Sequence, residues 1–138
     1  MFLFKTSGAT LASVVKNQKH AFSNRPRDWH SGEIVIISKN RADCSKSERQ
    51  IQYVMKIDYI RPIEPGESEL YWPGTEGRWR HLVQCRETQR ISHPFNLQEA
   101  LGACAKEYST VMTFKRFDSD HEAQIRAFLK HVEPGLLS

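Results

Sequence analysis

The side chains of this sequence best suited to chemistry are aromatic rings in loops. Trp29 lies in a polar loop, and Trp72 follows Tyr71 in a long stretch rich in proline and glycine. A tryptophan in a loop either covers the core or offers a face on which a nucleobase or a methylated cation stacks. Because both tryptophans flank the same predicted central strands, the sequence favours a shared aromatic pocket.

Basic residues surround these loops. Lysine and arginine contact a phosphate backbone while a base stacks on an aromatic ring, so this mixture is typical of nucleic-acid binding. Taken singly, such residues are equally consistent with a solvated surface. The formal net charge of +4 is compatible with a polyanionic partner. The candidates for backbone contacts are Arg25, Arg27, Lys39, Arg41 and Arg78.

Small polar residues occur where the predicted strands end. They are Thr6 and Ser7, Ser23 and Asn24 beside Phe22, and Ser38 and Asn40. Hydroxyl and amide groups donate and accept hydrogen bonds, which is what reading the edge of a base requires. Asn24 and Asn40 are also typical turn residues.

The motifs of common enzyme classes are missing from the sequence. It has no GxGxxG, no P-loop and no GxSxG, and its histidines and cysteines show no zinc-binding spacing. We therefore expect no enzyme, no cofactor and no metal. Cys44, Cys85 and Cys104 contain no CxxC pair, which predicts reduced thiols and a cytoplasmic protein.

Length and composition predict one globular domain over residues 1–138. Hydrophobic residues make up 39% and charged residues 26% of the chain, values that exclude a disordered or fibrous protein. No apolar run approaches the roughly 18–20 residues of a membrane-spanning helix, so no membrane partner is expected. The first residues lack a basic region before the apolar run, which indicates a strand and a helix rather than a signal peptide.

The pattern of apolar and turn residues predicts the elements that position these side chains. Strands are predicted at residues 2–6, 34–38, 51–60, 79–86 and 111–114. Helices are predicted at 10–19, at 96–105 after a capping box, and from 119 after a second capping box. Residues 20–33, 40–49 and 61–78 are predicted loops. Because regular crossover helices do not separate the strands, we expect an α+β protein: a small bent, mostly antiparallel β-barrel with about three peripheral helices.

In this order the elements resemble the EVE domain, a branch of the PUA-like superfamily related to YTH and ASCH domains. The resemblance covers roughly residues 1–131. It lies in FLFKTS with its following helix, W-x-x-GEIVIISKN, QIQYVMKI, WPGTEGRWRHLVQC and NLQEALG. The turn Gly32-Glu33 stands where the family has Gly-Asp. ASCH domains carry a G-x-K-x-x-E-x-R signature that is missing here, which disfavours that branch and its amidohydrolase activity.

The resemblance implies a bent barrel that takes a flipped, modified base, typically methylated cytosine or adenine, into an aromatic-walled pocket. It places Trp72 and Phe22 at the walls, with Phe22 standing where YTH readers have a second tryptophan. Trp29 matches the family tryptophan ahead of the turn. The base-binding residues it implies are Trp72, Phe22, Trp29, Ser23, Asn24, Lys5, Thr6, Ser7, Ser38 and Asn40.

These observations predict a non-catalytic reader of a modified base in DNA or RNA. An effector such as a nuclease, in trans or as a fusion, would be a further partner. One alternative is a small enzyme acting on modified nucleosides, with Lys5 and a nearby carboxylate such as Glu33 as acid and base. Another is a protein-interaction module that uses the loop aromatics as anchors.

Overall fold

The structure, a computed structural model, describes residues 1–40, 45 and 49–137. Its elements are β1 (Phe2–Thr6), α1 (Leu11–Asn17), β2 (Lys19–Phe22), β3 (Ile34–Lys39), β4 (Ile51–Pro62), α2 (Glu67–Tyr71), β5 (His81–Phe95), α3 (Leu97–Leu101), a 3-10 turn (Gly102–Ala105), α4 (Lys106–Ser109), β6 (Phe114–Arg116) and α5 (Ser119–Val132). The predicted α+β class is confirmed.

Six strands form one sheet in the order β2-β5-β4-β3-β1-β6. β1 and β3 run parallel, and the other neighbouring pairs are antiparallel. The sheet curls into a half-barrel with the helices around it. Irregular register between β4 and β5 contributes to this curl, because a β-bulge bends its strand and increases the local twist.

β1 lies between β3 and β6 and is buried on both faces. Its side chains alternate, so Phe2 and Phe4 join one core cluster and Leu3 joins the other. α1 adds Val14 to the cluster that contains the two phenylalanines. α3 and α5 cover the opposite face, where Leu101 packs. Because β1 and β3 are covered on both faces, their sequences are short continuous apolar runs.

Three of the described elements are not predicted by the sequence pattern: β2, α2 and α4, which follows the helix predicted at 96–105. β2 covers the last residue of the helix predicted at 10–19 and the start of the loop predicted at 20–33, and its antiparallel pairing with β5 defines it. α2 is a five-residue helix inside the predicted loop at 61–78. β5 is also longer than predicted and reaches Phe95, which pairs with Ile51 at the start of β4.

The last strand is shifted relative to its prediction. β6 begins at Phe114, which pairs with Phe4, and ends at Arg116, which pairs with Phe2. Just before it, the Thr113 carbonyl accepts a hydrogen bond of 2.7 Å from the Lys5 amide. Pairing with β1, rather than the apolar run at 111–114, therefore sets the position of this strand.

The capping box at the start of α3 is confirmed. The Asn96 amide donates to the Glu99 carboxylate at 2.7 Å, and the Asn96 side chain accepts from the helix backbone. The predicted helix does not continue unbroken, because Gly102 has a φ of +60° and ends α3. The chain continues as the 3-10 turn and α4.

The capping box predicted for α5 is wrong. Asp118 precedes the helix and makes no side-chain capping bond. The Glu122 carboxylate instead contacts the Met1 amino nitrogen at 2.6 Å and accepts a bond of 2.9 Å from Arg126. Ile125 and Leu129 are buried, as their helical spacing predicts. Within the described ranges, no helix has the length and apolar character needed to span a membrane.

Candidate functional site

A cavity of about 360 Å³ opens at the carboxyl end of β1. The end of β1 and the start of α1 meet there with β2, with the turn after α2 and with the residues before β6. Small-molecule sites occupy about 300–1,000 Å³, so the cavity has a suitable size for a ligand. Its lining residues are Lys5, Thr6, Ser7, Thr10, Val14, His20, Ala21, Phe22, Ser23, Asn40, Trp72, Thr75, Arg78, Trp79, Met112 and Thr113.

Three hydroxyl groups form a connected group in this cavity. The Thr10 Oγ1 lies 2.7 Å from both the Thr6 Oγ1 and the Ser7 Oγ. Each hydroxyl has one donor and two acceptor positions, so the trio keeps hydrogen-bonding capacity for a ligand. The Thr6 carbonyl accepts a bond of 2.8 Å from the Asn40 amide, which fixes the end of β3 beside the end of β1.

Two tryptophans form the aromatic side of the cavity. Trp72 is 3% exposed and meets the half-buried Trp79 edge to face, with ring centroids 5.3 Å apart. The Thr75 hydroxyl donates to the Trp72 carbonyl and so holds the turn after α2 against the cavity. The Arg78 guanidinium lies 5.2 Å from the Trp79 ring centroid, within cation–π range. Trp79 is therefore the more exposed ring of this pair, and Arg78 lies over it.

Phe22 and His20 project from β2 and form the inner wall. Their rings stack with centroids 4.3 Å apart, and the Phe4 ring meets Phe22 edge to face. Phe22 is 2% exposed, so it shapes the cavity more than it offers surface. His20 was not among the predicted site residues, since a lone histidine in a predicted loop carries no local signal.

His20 is held in its uncharged form. Burial lowers the pKa of His20 to about 4, although hydrogen bonds with the backbone of Ala21 and Lys5 oppose the shift. The Nε2 lies 3.1 Å from the Lys5 carbonyl and the Nδ1 3.2 Å from the Ala21 carbonyl. A neutral imidazole donates from only one nitrogen, so the other nitrogen carries a lone pair. Both ring nitrogens face backbone carbonyl oxygens, so His20 lines the cavity as a neutral ring.

Most of the predicted base-binding residues come together in this cavity. Those that line it are Trp72, Phe22, Ser23, Lys5, Thr6, Ser7 and Asn40. They come from strand ends and loops far apart in the sequence. The Ser23 hydroxyl also donates to the Arg78 carbonyl at 3.2 Å, which joins the loop after β2 to the start of β5.

Three predicted base-binding residues lie elsewhere. Trp29 packs against the core cluster that contains Phe2 and Phe4, so it covers the core instead of facing the cavity. Asn24 is exposed and does not line the cavity. The Ser38 hydroxyl donates to the Lys39 carbonyl at 3.2 Å, and its side chain lines a neighbouring cavity.

The predicted backbone-contact residues are divided between the two ends of β1. Arg78 lines the cavity, whereas Lys39 pairs with Thr6 in the sheet register and lines another cavity, beside α1. Arg27 lies at the other end, where its carbonyl and that of Asp28 accept hydrogen bonds from Arg116. Arg25 is exposed and does not line the cavity, and Arg41 lies outside the described residues.

Lys5 and Glu33 are not neighbours. Lys5 pairs with Ser38 in the β1–β3 register, and Glu33 precedes Ser38 by five residues, or about 16 Å of strand. Glu33 lies 2.9 Å from the Met1 amino nitrogen and 2.6 Å from Arg116. Burial raises the pKa of Glu33. The hydrogen bond and charge of the Met1 amino group, together with the charges of Arg116 and His30, outweigh the effect of burial and hold this pKa below its usual value. The pair proposed as acid and base is thus separated.

One group of side chains in the described part of the chain has the composition of a metal site. Glu107, Asp118 and His121 place ligand atoms within 4.8 Å of one another. The two carboxylates are exposed, and the His121 Nδ1 lies 2.6 Å from the Tyr108 hydroxyl. That hydrogen bond occupies the nitrogen that would bind a metal.

Several solved structures have a fold similar to that of this chain. The ASCH protein of Zymomonas mobilis superposes with a TM-score of 0.61 and 10% identity, over 91% of this chain and 93% of that chain. The chain has a PUA-like fold. Variants of the same ASCH protein, with tyrosine replaced by phenylalanine or serine by alanine, give TM-scores of 0.60 and 0.59 at 10% identity. They cover 91% and 92% of this chain and 96% and 94% of theirs. The sequence matches no protein-family model and no curated protein.

The fold expected from the sequence, that of a PUA-like protein, is confirmed. Membership of the EVE branch stays a prediction, because the similar structures are ASCH proteins and 10% identity shows the fold alone. Superfamilies of this kind carry several functions on one architecture. The residues that line the cavity, and not the fold, therefore determine what this protein can bind.

Proposed function

We propose that the protein binds DNA or RNA and reads a modified, methylated base that is turned out of the strand into the cavity at the end of β1. One observation carries this proposal. Polar and aromatic residues selected from the sequence for contact with a base come together in one cavity of suitable size. The proposal is a binding function, which the aromatic and hydroxyl-bearing residues of the cavity support.

The cavity supplies two kinds of contact to a base. Trp79 offers a ring face for stacking, with Trp72 and Phe22 shaping the space behind it. The hydroxyls of Thr6 and Ser7 reach the edge of the base as donors or acceptors. A methyl group on the base would lie against the buried aromatic carbons, where it loses contact with water.

The free energy gained by stacking one base is not sufficient to offset the cost of turning that base out of a duplex. Turning a base out of a duplex costs a few kcal/mol, and stacking on an aromatic ring returns about 1–3 kcal/mol. Contacts to the phosphate backbone must supply the remainder, and their strength falls with salt. Arg78 lines the cavity, Lys39 belongs to the strand that pairs with the end of β1, and both have the charge for these contacts.

The proposal is tested by titrating the protein with matched oligonucleotides that contain cytosine, 5-methylcytosine, adenine or N6-methyladenine, and following tryptophan fluorescence. We expect one methylated form to bind more tightly than its unmodified partner and Trp79→Ala to remove that preference. Trp29→Ala is the matched control, because Trp29 is a half-buried tryptophan outside the cavity.

Equal binding of every oligonucleotide, unchanged in Trp79→Ala, would exclude base reading. Turnover of a modified nucleoside would instead favour the enzyme alternative. Co-purification with a protein partner and no affinity for nucleic acid would favour the interaction module.

We further propose that the protein acts in the cytoplasm and marks nucleic acid for an effector such as a nuclease, in trans or as a fusion. Cys85 and Cys104 are free thiols in the structure, which is consistent with a reducing compartment. Burial raises the pKa of the Cys85 thiol to about 12, so this cysteine has a packing role. Co-purification of a nuclease with the tagged protein, lost on treatment that removes nucleic acid, would support the effector.

A further inference from the structure

A second cavity, of about 290 Å³, lies next to the first one at the end of β1. Lys5 lines both cavities. Lys5 shares a strand face with Leu3, whereas Thr6 follows on the face of Phe2 and Phe4. The two cavities therefore lie on opposite faces of the same strand end. α3, the 3-10 turn and α4 form the outer wall of the second cavity.

The second cavity is positively charged. Lys5, which is 5% exposed, the half-buried Arg49 and the exposed Lys106 line it. Among the lining residues that the structure describes there is no carboxylate. Hydroxyl and amide groups of Ser109 and Asn96 border the same space. Several cations with neutral hydrogen-bond donors are the chemistry that binds phosphate.

Arg49 provides the observation that points to a ligand. Its Nε is buried, and within the described residues this nitrogen donates no hydrogen bond. Buried donors nearly always have a partner, so a bound acceptor would explain this one. A guanidinium donates in a planar fork that fits the oxygens of a phosphate. The N-terminus of α3 is already closed by Asn96 and Glu99, so side chains, not a helix end, make this site.

We propose that the second cavity binds the phosphate of a nucleotide whose base enters the first cavity. Arg49 and Lys106 hold the phosphate, and Lys5 lies between the two cavities. This inference rests on the proposed function, because the first cavity supplies the base contacts. It adds that the recognised unit is a nucleotide with its phosphate and not a free base or nucleoside.

The test compares 5-methylcytidine and N6-methyladenosine with their 5′-monophosphates by isothermal titration calorimetry. We expect the preferred monophosphate to bind at least about tenfold more tightly than its nucleoside. Arg49→Gln and Lys106→Ala should each reduce this ratio towards one. Lys130→Ala is the matched control, since Lys130 is exposed on α5 and lines neither cavity. Lys106 is exposed, so its variant keeps the test valid if Arg49→Gln unfolds.

Equal affinities of nucleoside and monophosphate would overturn the phosphate site, as would an advantage that both variants retain. A titration with inorganic phosphate, followed by ³¹P NMR, tests the phosphate site independently of base reading. Phosphate binding that depends on Arg49 without any nucleoside binding would overturn base reading and leave the phosphate site in place. Nucleoside binding without phosphate binding would overturn the phosphate site alone.

Discussion

Trp79 meets Trp72 edge to face, with the two ring planes at 83°, and of the two residues only Trp79 is partly exposed. The pair therefore divides two tasks between neighbouring rings. Trp72 is buried beside the turn after α2, and Trp79 lines the cavity as the more exposed ring. Substitutions at the two positions should consequently have different effects.

We predict that Trp79→Ala mainly weakens binding and that Trp72→Ala mainly destabilises the fold. Loss of the Trp79 face should reduce the affinity for the preferred oligonucleotide roughly 10- to 100-fold, since a stacked base contributes about 1–3 kcal/mol. Loss of the buried Trp72 ring should lower the free energy of unfolding by about 3–5 kcal/mol. Fluorescence titration and urea unfolding measure the two effects. A Trp72→Ala protein of normal stability would contradict this division.

Arg78 should contribute to the salt dependence of nucleic-acid binding. The slope of log affinity against log salt falls by about 0.7–0.9 for each phosphate contact that is lost. We expect Arg78→Ala to reduce the slope by this amount, because Arg78 lines the cavity. Arg27→Ala is the control with the same loss of charge, since Arg27 lies at the other end of β1. Equal slopes for the two variants would place the backbone contacts elsewhere.

His20 should make the fold sensitive to mild acid. Its pKa is about 4 in the folded protein and 6.5 in an unfolded chain, so the unfolded state binds the proton first as the pH falls. The free energy of unfolding should decrease between pH 6.5 and pH 4, by about 3 kcal/mol, and be unaffected by His20 above pH 6.5. Urea unfolding across this range should show a shallower decline in His20→Gln. The exposed His93 provides the control, and His93→Gln should follow the wild type.

Arg116 should stabilise the buried carboxylate of Glu33. Arg116→Ala removes an ion pair of 2.6 Å and the hydrogen bonds to the carbonyls of Arg27 and Asp28. We expect a loss of about 1–2 kcal/mol in the free energy of unfolding, since Arg116 is partly exposed and Glu33 keeps its other contacts.

The same substitution should also change the response to acid. Glu33 has a lowered pKa in the folded protein, so the stability it confers is present above about pH 4.5 and disappears as the pH falls further. Arg116→Ala should move this loss to higher pH. Arg126→Ala, which removes a nearby charge that contacts Glu122, should leave the transition of Glu33 in place. Acid unfolding followed by circular dichroism distinguishes the two variants.

The pattern of apolar residues predicts those elements whose buried side chains follow a regular spacing in the sequence. Continuous apolar runs identify β1 and β3 as buried strands. The spacing of Ile125 and Leu129 identifies α5 as a helix with one buried face. β2 could not be predicted in this way. Its sequence, KHAF, has no alternation, and the four residues form a strand because β5 offers hydrogen-bonding partners far away in the chain.

The candidate site shows the same division between local and distant information. Thr6 and Ser7 are recognisable because they lie at the end of a predicted strand, and polar groups at a strand end commonly face a ligand. Trp79 and His20 acquire their positions only when α2 and β2 fold back over the end of β1. Trp29 resembles a site residue in sequence, yet the bend of its loop directs the ring onto the core.

The pairing of β1 with β6 has a consequence for how the protein forms on the ribosome. β3, β4 and β5 follow one another in sequence and pair as neighbours, so they can assemble once residue 95 has emerged. The outer neighbour of β1 comes more than a hundred residues after it, and such distant contacts form slowly. Met112 and Thr113, which border the cavity, arrive with that last strand. The nascent chain therefore holds most of its sheet before it has a complete binding cavity.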